Sequence, residues 1–290
     1  ILKDNSKLLI ISRLLIYDIF IFHQINSLKK FDEELRIFLL KYITQVEEEV
    51  RTLTGYKFDQ CNDNGKIPWY ETNAYSSNVT LQSKMSTISS AYSELSRSKS
   101  EYVQFYMKNH EQIPTWIMIK VVNFSTFIDV LQNSKPKVTH AICKLYSMYD
   151  NNNLPNVKLL IGSLHWLRRV RNSCAHNERV YCIHQTQARN NSASGRILDP
   201  YYAQFPSSYR RCTQKNIFDI LVYFKYFLPK EEFAPMIMDL KNMLIKLQNV
   251  LQPNAFDNVR GQMGIKNLNI LDTLIALPKS KIMYHKFDTL

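Results

Sequence analysis

Glycine is scarce, with 6 in 290 residues, and strand-type alternation of apolar and polar residues is scarce too. Apolar spacings of three and four residues are common instead, so the expected fold is all-α rather than sheet-based. No CxxC pair occurs. The five cysteines, Cys61, Cys143, Cys174, Cys182 and Cys212, are an odd number and widely spread. That argues against a disulfide framework and for a reducing, cytoplasmic setting. Acidic residues are in deficit, 25 against 37 Lys and Arg, giving a net charge of +12. The excess favours polyanions as partners, nucleic acid first and an acidic membrane surface second.

A membrane-length apolar run is also missing. The nearest candidate, "LLIISRLLIYDIFIFH" at residues 8 to 23, is interrupted by Arg13 and Asp18 and falls short of the roughly 20 apolar residues a span needs. It is expected to be a buried helix, with no membrane partner. The chain begins with Ile rather than Met, which leaves open whether the helical segment 1–30 is complete. With 45% apolar and 21% charged residues, the chain reads as soluble, globular and long enough to bury a large core. It shows no internal repeat.

Phe31, Leu35, Leu39, Tyr42, Val46, Val50 and Leu53 share one stripe of a long amphipathic helix. Residues 61 to 78 read as a loop, and Leu81 to Phe105 mark another long helix, interrupted at "SRSKS" and ending before Pro114. Pro114 suits the first turn of a central helix, "PTWIMIKVVNFSTFIDVLQ". "PKVTHAICKLYSMYD" continues the pattern, and "NNNLPN" breaks it. A helix from about Val157 follows, with Leu160, Leu164 and Leu167 buried.

Residues 185 to 211 read as a long polar loop. In it Arg189, Arg196, Arg210 and Arg211 interleave with Tyr201, Tyr202 and Tyr209, a composition suited to nucleotide stacking. Two helices, "NIFDILVYFKYFL" and "PMIMDLKNMLIKLQNVL", close the bundle. The organisation expected is an N-terminal segment (1–30), a helical domain (31–253) and a C-terminal extension packing on it (254–290).

Chemistry concentrates in "LRRVRNSCAHNERV", residues 167 to 180. At about 100° per residue, Arg168, Asn172, His176 and Arg179 fall on one polar stripe if the helix runs that far, and Arg169 adds to the basic surface. Arg171 follows Leu167 by four residues, at the edge of the apolar side, and needs a partner there. One reading is a solvated basic helix end. Another is a zinc site from Cys174, His176, Cys182 and His184, disfavoured because its ligand spacing does not match structural zinc sites. The third is a metal-independent, cofactor-free ribonuclease, in which His176 moves the protons and arginine holds the phosphate. One histidine does not easily do both proton transfers, so this reading asks for a homodimer with two motifs facing, or a reaction leaning on a single catalyst. Glu47 and Arg51 lie four apart on one helix face; either they pair with each other, or Glu47 pairs with Arg171 across the bundle and orients it.

These residues resemble the abortive-infection proteins of the AbiD/AbiF type in the HEPN superfamily, whose mark is arginine, a polar residue, then histidine after four to six positions. Arg171, Asn172 and His176 fit, and Cys174, Ala175 and Arg179 match the fuller signature "RNSCAHNER". Phe31, Asp32, Leu35, Arg36, Glu47, Arg51 and Thr52 match the family's first long helix, and Pro114, Trp116, Phe124 and Ser125 its central segment. The likeness covers roughly residues 31 to 265. It implies a HEPN-like helical bundle, RNA as substrate or as a bound structured small RNA, and a role in bacterial defence against phage or in a toxin-like system. It also implies kinship with the nuclease domains of RNA-targeting CRISPR effectors. Asn177 stands where many relatives carry a second histidine, and the tyrosine-and-glycine-rich block usually preceding the first helix is not evident. Trp116 and Trp166 are expected in the core.

Overall fold

A computed structural model describes residues 2–150, 152–186, 201–206, 209 and 214–278. The fold is all-α, with eleven α-helices among the described residues. The first, α1 (Leu2–Cys61), is 60 residues long, or about 90 Å at 1.5 Å per residue. The helical segment expected over residues 1–30 runs without a break into the stripe-bearing helix. From Phe31 to Val50 the stripe is buried as its periodicity predicts. The burial expected over residues 8 to 23 fails where side chains are described, since Ile21 and Phe22 (72% exposed) face outward; further along, Ile25 is exposed and Leu28 partly buried against the core. A compact 290-residue chain has a radius of gyration of about 19 Å, so its bundle cannot cover a helix of that length.

The predicted second helix is two, α2 (Leu81–Arg97) and α3 (Glu101–Asn109), parted at the polar run. The apolar helix predicted from Pro114 is also two, α4 (Thr115–Val121) and α5 (Phe124–Asn133). Asn123 divides them. Its side-chain oxygen accepts from the Ser125 and Thr126 amides at 2.8 and 3.0 Å, while Glu94 accepts from both the backbone and side-chain amides of Asn123 and from the Thr126 hydroxyl. Satisfied at both ends, this cap outweighs the apolar continuity around it.

Then come α6 (Pro136–Leu145), with Pro136 in its first turn, and α7 (Val157–Ala175), whose cap Asn156 accepts from the Leu159 amide at 3.0 Å. The C-terminal part holds α8 (Ile217–Phe227), α9 (Lys230–Gln248), α10 (Pro253–Gln262) and α11 (Asn269–Ala276). Every residue of α8 is buried, which makes this helix, rather than 114–132, the central one. Its two charges are accommodated at its ends. Asp219 closes a capping box with Asn216 and accepts from the Tyr202 hydroxyl at 2.5 Å, and Lys225 donates to the carbonyls of Leu274 and Ile275 at the end of α11.

The element that carries the motif, α7, packs on α1, α5, α6 and α8. A two-residue antiparallel pair, β1 (Gln185–Thr186) with β2 (Gln214–Lys215), ties the chain beyond α7 to the chain entering α8 and brings Lys215 opposite Gln185.

Candidate functional site

The motif sits where α7 stops, and the stop is built from local hydrogen bonds. Asn177 adopts the left-handed conformation at φ 56°; its amide bonds to the Cys174 carbonyl at 3.2 Å, and the Glu178 amide reaches back to the Ser173 carbonyl at 2.9 Å. This is a Schellman end, with Asn177 at the position that usually takes glycine or asparagine. The Ser173 hydroxyl donates to Glu178 at 2.6 Å. His176 is therefore the helix cap, exposed at the tip, while Arg179 lies beyond the helix and not on the predicted stripe. The stripe was drawn for a helix that ran four residues further.

Two carboxylates of α1 fix this region from below. Asp32 accepts the amides of Val180 and Tyr181, each at 2.9 Å, and the Arg36 guanidinium at 2.5 Å, so the turn after the motif is fastened to α1. Glu47 meets two arginines. Its Oε1 accepts from Arg51 at 2.7 and 3.1 Å, and its Oε2 lies 3.6 Å from Nε of Arg171. Both sequence readings of Glu47 thus describe contacts it makes at once. Arg51 is buried, donates to the Ile119 carbonyl at 2.6 Å and lies over the Phe127 ring at 4.9 Å. Burial pushes its pKa down and the Glu47 carboxylate opposes the shift. Arg171, with its side chain 39% exposed, continues the chain by donating to the Asn172 side-chain oxygen at 3.3 Å.

Asn172 opens on a cleft of about 690 Å³, within the usual range for ligand pockets. Along α7 its wall carries Gly162, His165, Arg168, Arg169, Asn172 and His176; Ile183, Gln185 and Lys215 close the opposite side. Arg171 does not line it and reaches the rim only through Asn172. The Nε of Arg168 is buried without a hydrogen-bond partner. His165 is pushed below the ordinary histidine range, first by desolvation and then by Arg168 and Lys215, with Asp129 of α5 opposing. Asp129 is pushed up by desolvation, held back by His165 and Arg168.

His165 was not among the residues singled out from sequence, although the signal was there: it precedes Asn172 by seven residues and His176 by eleven, the spacing of a single helical face. Of the remaining candidates, Arg169 is exposed in the cleft with its guanidinium 5.8 Å from the Trp166 ring. Arg189, Arg196, Arg210 and Arg211 lie outside the described residues. The proposed stacking tyrosines are corrected: Tyr201, Tyr202 and Tyr209 are all buried. Tyr202 is held by Asp219, the Tyr201 ring packs 4.7 Å from Tyr226, and the Tyr209 hydroxyl accepts the Lys266 amide at 2.9 Å. Aromatic rings with a polar atom to satisfy are as well suited to a core as to a base.

Trp166 is buried as expected and donates to the Asn216 carbonyl at 3.1 Å, but Trp116 is 47% exposed, edge-on to Tyr106. Cys174 is buried and its thiol is pushed up to about 12 by that burial, which suits packing rather than thiolate chemistry. Among the described residues no three His, Cys, Asp or Glu side chains gather as a metal site. Nor is any described helix long and apolar enough to cross a membrane.

Most of this geometry, from α1 through α7 to the turn held by Asp32, lies in the part of the chain that matches a known family: residues 16–182 match the family described as Abi-like protein. That span is more than half of the sequence. The chain belongs to the Abi-like protein family. It is thus a protein of the abortive-infection type. No curated protein and no solved structure matches it.

Proposed function

We propose that this Abi-like protein is a HEPN-type RNA-binding protein that cuts RNA without a metal, through attack of a ribose 2′-hydroxyl on the adjacent phosphate. The carrying observation is the α7 cleft, whose lining includes an exposed histidine at the helix end, an asparagine and three cations, Arg168, Arg169 and Lys215. His176 accepts the 2′-hydroxyl proton or donates one to the departing 5′-oxygen. Arg168 and Arg169 bind phosphate within the cleft, and Arg171 at the rim neutralises the charge that develops on the scissile group. Asn172, held by Arg171, orients the attacking or leaving oxygen. The bond broken is P–O5′, the bond formed is P–O2′, and the products are a 2′,3′-cyclic phosphate and a 5′-hydroxyl. The second proton transfer falls to water or to the His176 of a second copy docked on the exposed turn. Arg179 widens the basic surface outside the cleft.

Incubation of the protein with RNA in chelator tests this reading. Cleavage by wild type that disappears in His176→Ala supports it; equal cleavage by both proteins sinks it. Light scattering on the same samples decides between one copy and two.

A second reading, that the cleft holds a structured small RNA uncut, draws on the placement of the two cleft histidines. Eleven residues at 1.5 Å separate them by about 16 Å along α7, too far for both to act on one phosphate. Copurification of one uniform, intact RNA, with no cleavage of added RNA, would favour it.

A further inference from the structure

The end of the cleft furthest from His176 is open and cationic, and its His165 and Lys215 take no part in the chemistry just described. A Cβ placed on Gly162 would meet no atom within 4 Å. Around this gap stand His165 and Lys215, the latter with its ammonium 3.5 Å from the Gly162 carbonyl and 5.6 Å from the centre of the Tyr223 ring; Arg169 lies midway along the wall, seven residues from Gly162 and seven from His176, its side chain leaning towards the Gly162 end. Arg168, one turn along, keeps its partnerless Nε. Among the described residues the nearby carboxylates are Asp129, coupled to His165 and Arg168, and Glu178 at the other end of the cleft. The balance at the Gly162 end is positive.

His165 is at first sight the missing second proton-transfer group. Distance rules this out. Helical side chains all lean towards the N-terminus, so the rings of His165 and His176 lean the same way and the separation of about 16 Å along the axis does not close. The two oxygens that exchange protons are bonded to the same phosphorus. At 3.4 Å per nucleotide of a stacked strand, about 16 Å corresponds to a phosphate roughly five nucleotides away, and fewer if the strand is stretched. From Gly162 to His176 the wall runs about 21 Å, or room for roughly six stacked nucleotides.

We infer that His165, Arg169 and Lys215 form a second phosphate subsite, so that a single strand lies along α7 with one phosphate at the His176 end and another, several nucleotides away, at the Gly162 end. This rests on the RNA reading above and adds a substrate class to it: unpaired RNA of about four to six nucleotides, held at both ends. Binding there does not require His165 to carry the chemistry. It requires only that the imidazole and the two cations face the strand.

Anisotropy of fluorescent 2′-O-methyl oligouridylates two to ten nucleotides long, which lack the attacking hydroxyl, tests it with the whole chain. For wild type, affinity rises with length to about six nucleotides and then levels. Gly162→Glu puts a carboxylate into the open space, and is expected to lower affinity for the eight-nucleotide strand by about tenfold or more, the size of a lost charged contact, towards the wild-type value for the dinucleotide. Arg169→Ala, at an exposed position, should reduce the slope of log affinity against log salt by about 0.7, one phosphate on a single strand. A length profile and salt slope that both substitutions leave as in wild type, with circular dichroism reporting the native helix content, overturn the subsite while leaving the RNA reading standing. Wild type that binds no oligonucleotide at any length overturns both.

Discussion

Removing the Glu47 carboxylate leaves the guanidinium groups of Arg51 and Arg171 on either side of a position that no longer carries an anion. In Glu47→Gln the shape is nearly kept, so the change measured is mostly the charge. Arg51 is buried and loses the charge of its partner at 2.7 Å, keeping the Ile119 carbonyl and the Phe124 and Phe127 rings. Breaking a buried pair costs about 3 to 5 kcal/mol, and the surviving bonds to Arg51 put this case near 3. Arg171, more than a third exposed and 3.6 Å away, turns to water and adds well under about 1 kcal/mol. For a chain of this size about 3 kcal/mol lowers the melting temperature by roughly 6 °C. The assay is urea unfolding of Glu47→Gln, Arg51→Ala, Arg171→Ala and the two double mutants, giving two coupling energies. The reasoning expects a coupling near 3 kcal/mol for Glu47 with Arg51, and below about 1 kcal/mol for Glu47 with Arg171. Equal couplings, or an Arg171→Ala protein as destabilised as Arg51→Ala, would refute the ranking and make Arg171 a structural arginine. With the expected result, a loss of RNA cleavage in the stable Arg171→Ala protein belongs to the site and not to unfolding.

At the helix end, Asn177→Gly should be neutral or slightly stabilising, whereas Asn177→Val should cost about 1 to 2 kcal/mol, because a β-branched residue is strained at φ 56°; denaturant midpoints distinguish them, and equal midpoints would remove the Schellman account. His165 should make stability depend on pH in a definite direction. Its native pKa lies below the ordinary value, so between that pKa and about 6.5 the unfolded chain binds more protons, and stability rises with pH through that window and is complete above it. Asp129, raised in the native state, gives the opposite slope, from its ordinary value of about 3.9 up to its raised native pKa. His165→Asn should therefore flatten the first slope while sparing the second, and an unchanged profile of unfolding midpoints against pH would count against the cluster of His165, Asp129, Arg168 and Lys215.

The fold class and the buried stripes of α1 and α7 were legible because periodicity records which side of a helix meets the core. Helix ends were less legible, because single hydrogen-bonded residues set them. Asn123 divides a run that is apolar throughout, since Glu94, far away in sequence, completes its cap. Burial of aromatics was least legible of all. Tyr202 looks like a surface ring among arginines until Asp219, itself buried in a helix that reads as pure core, accepts its hydroxyl. Trp116 shows the converse: it rests edge-on to Tyr106 with about half its surface exposed.

The site divides along the same line. Arg171, Asn172 and His176 could be found because their spacing is local, and Glu47 because it lies on the stripe helix with a charge that needed compensation. Their division of labour could not. A motif read as a string places Arg171 and His176 together; on a helix, five residues put them about 140° apart, and the arginine meets the core while the histidine caps the end. Asn172 then becomes the joint, touching Arg171 on one side and the cleft on the other. Through it the cleft is linked by way of Arg171 to Glu47, and through Glu47 to an arginine seated against Phe127. On the proposed function the order of the motif follows from this: the long arginine that reaches back to Glu47 comes first, and the histidine proposed to move protons stands where the helix has ended and solvent can reach it.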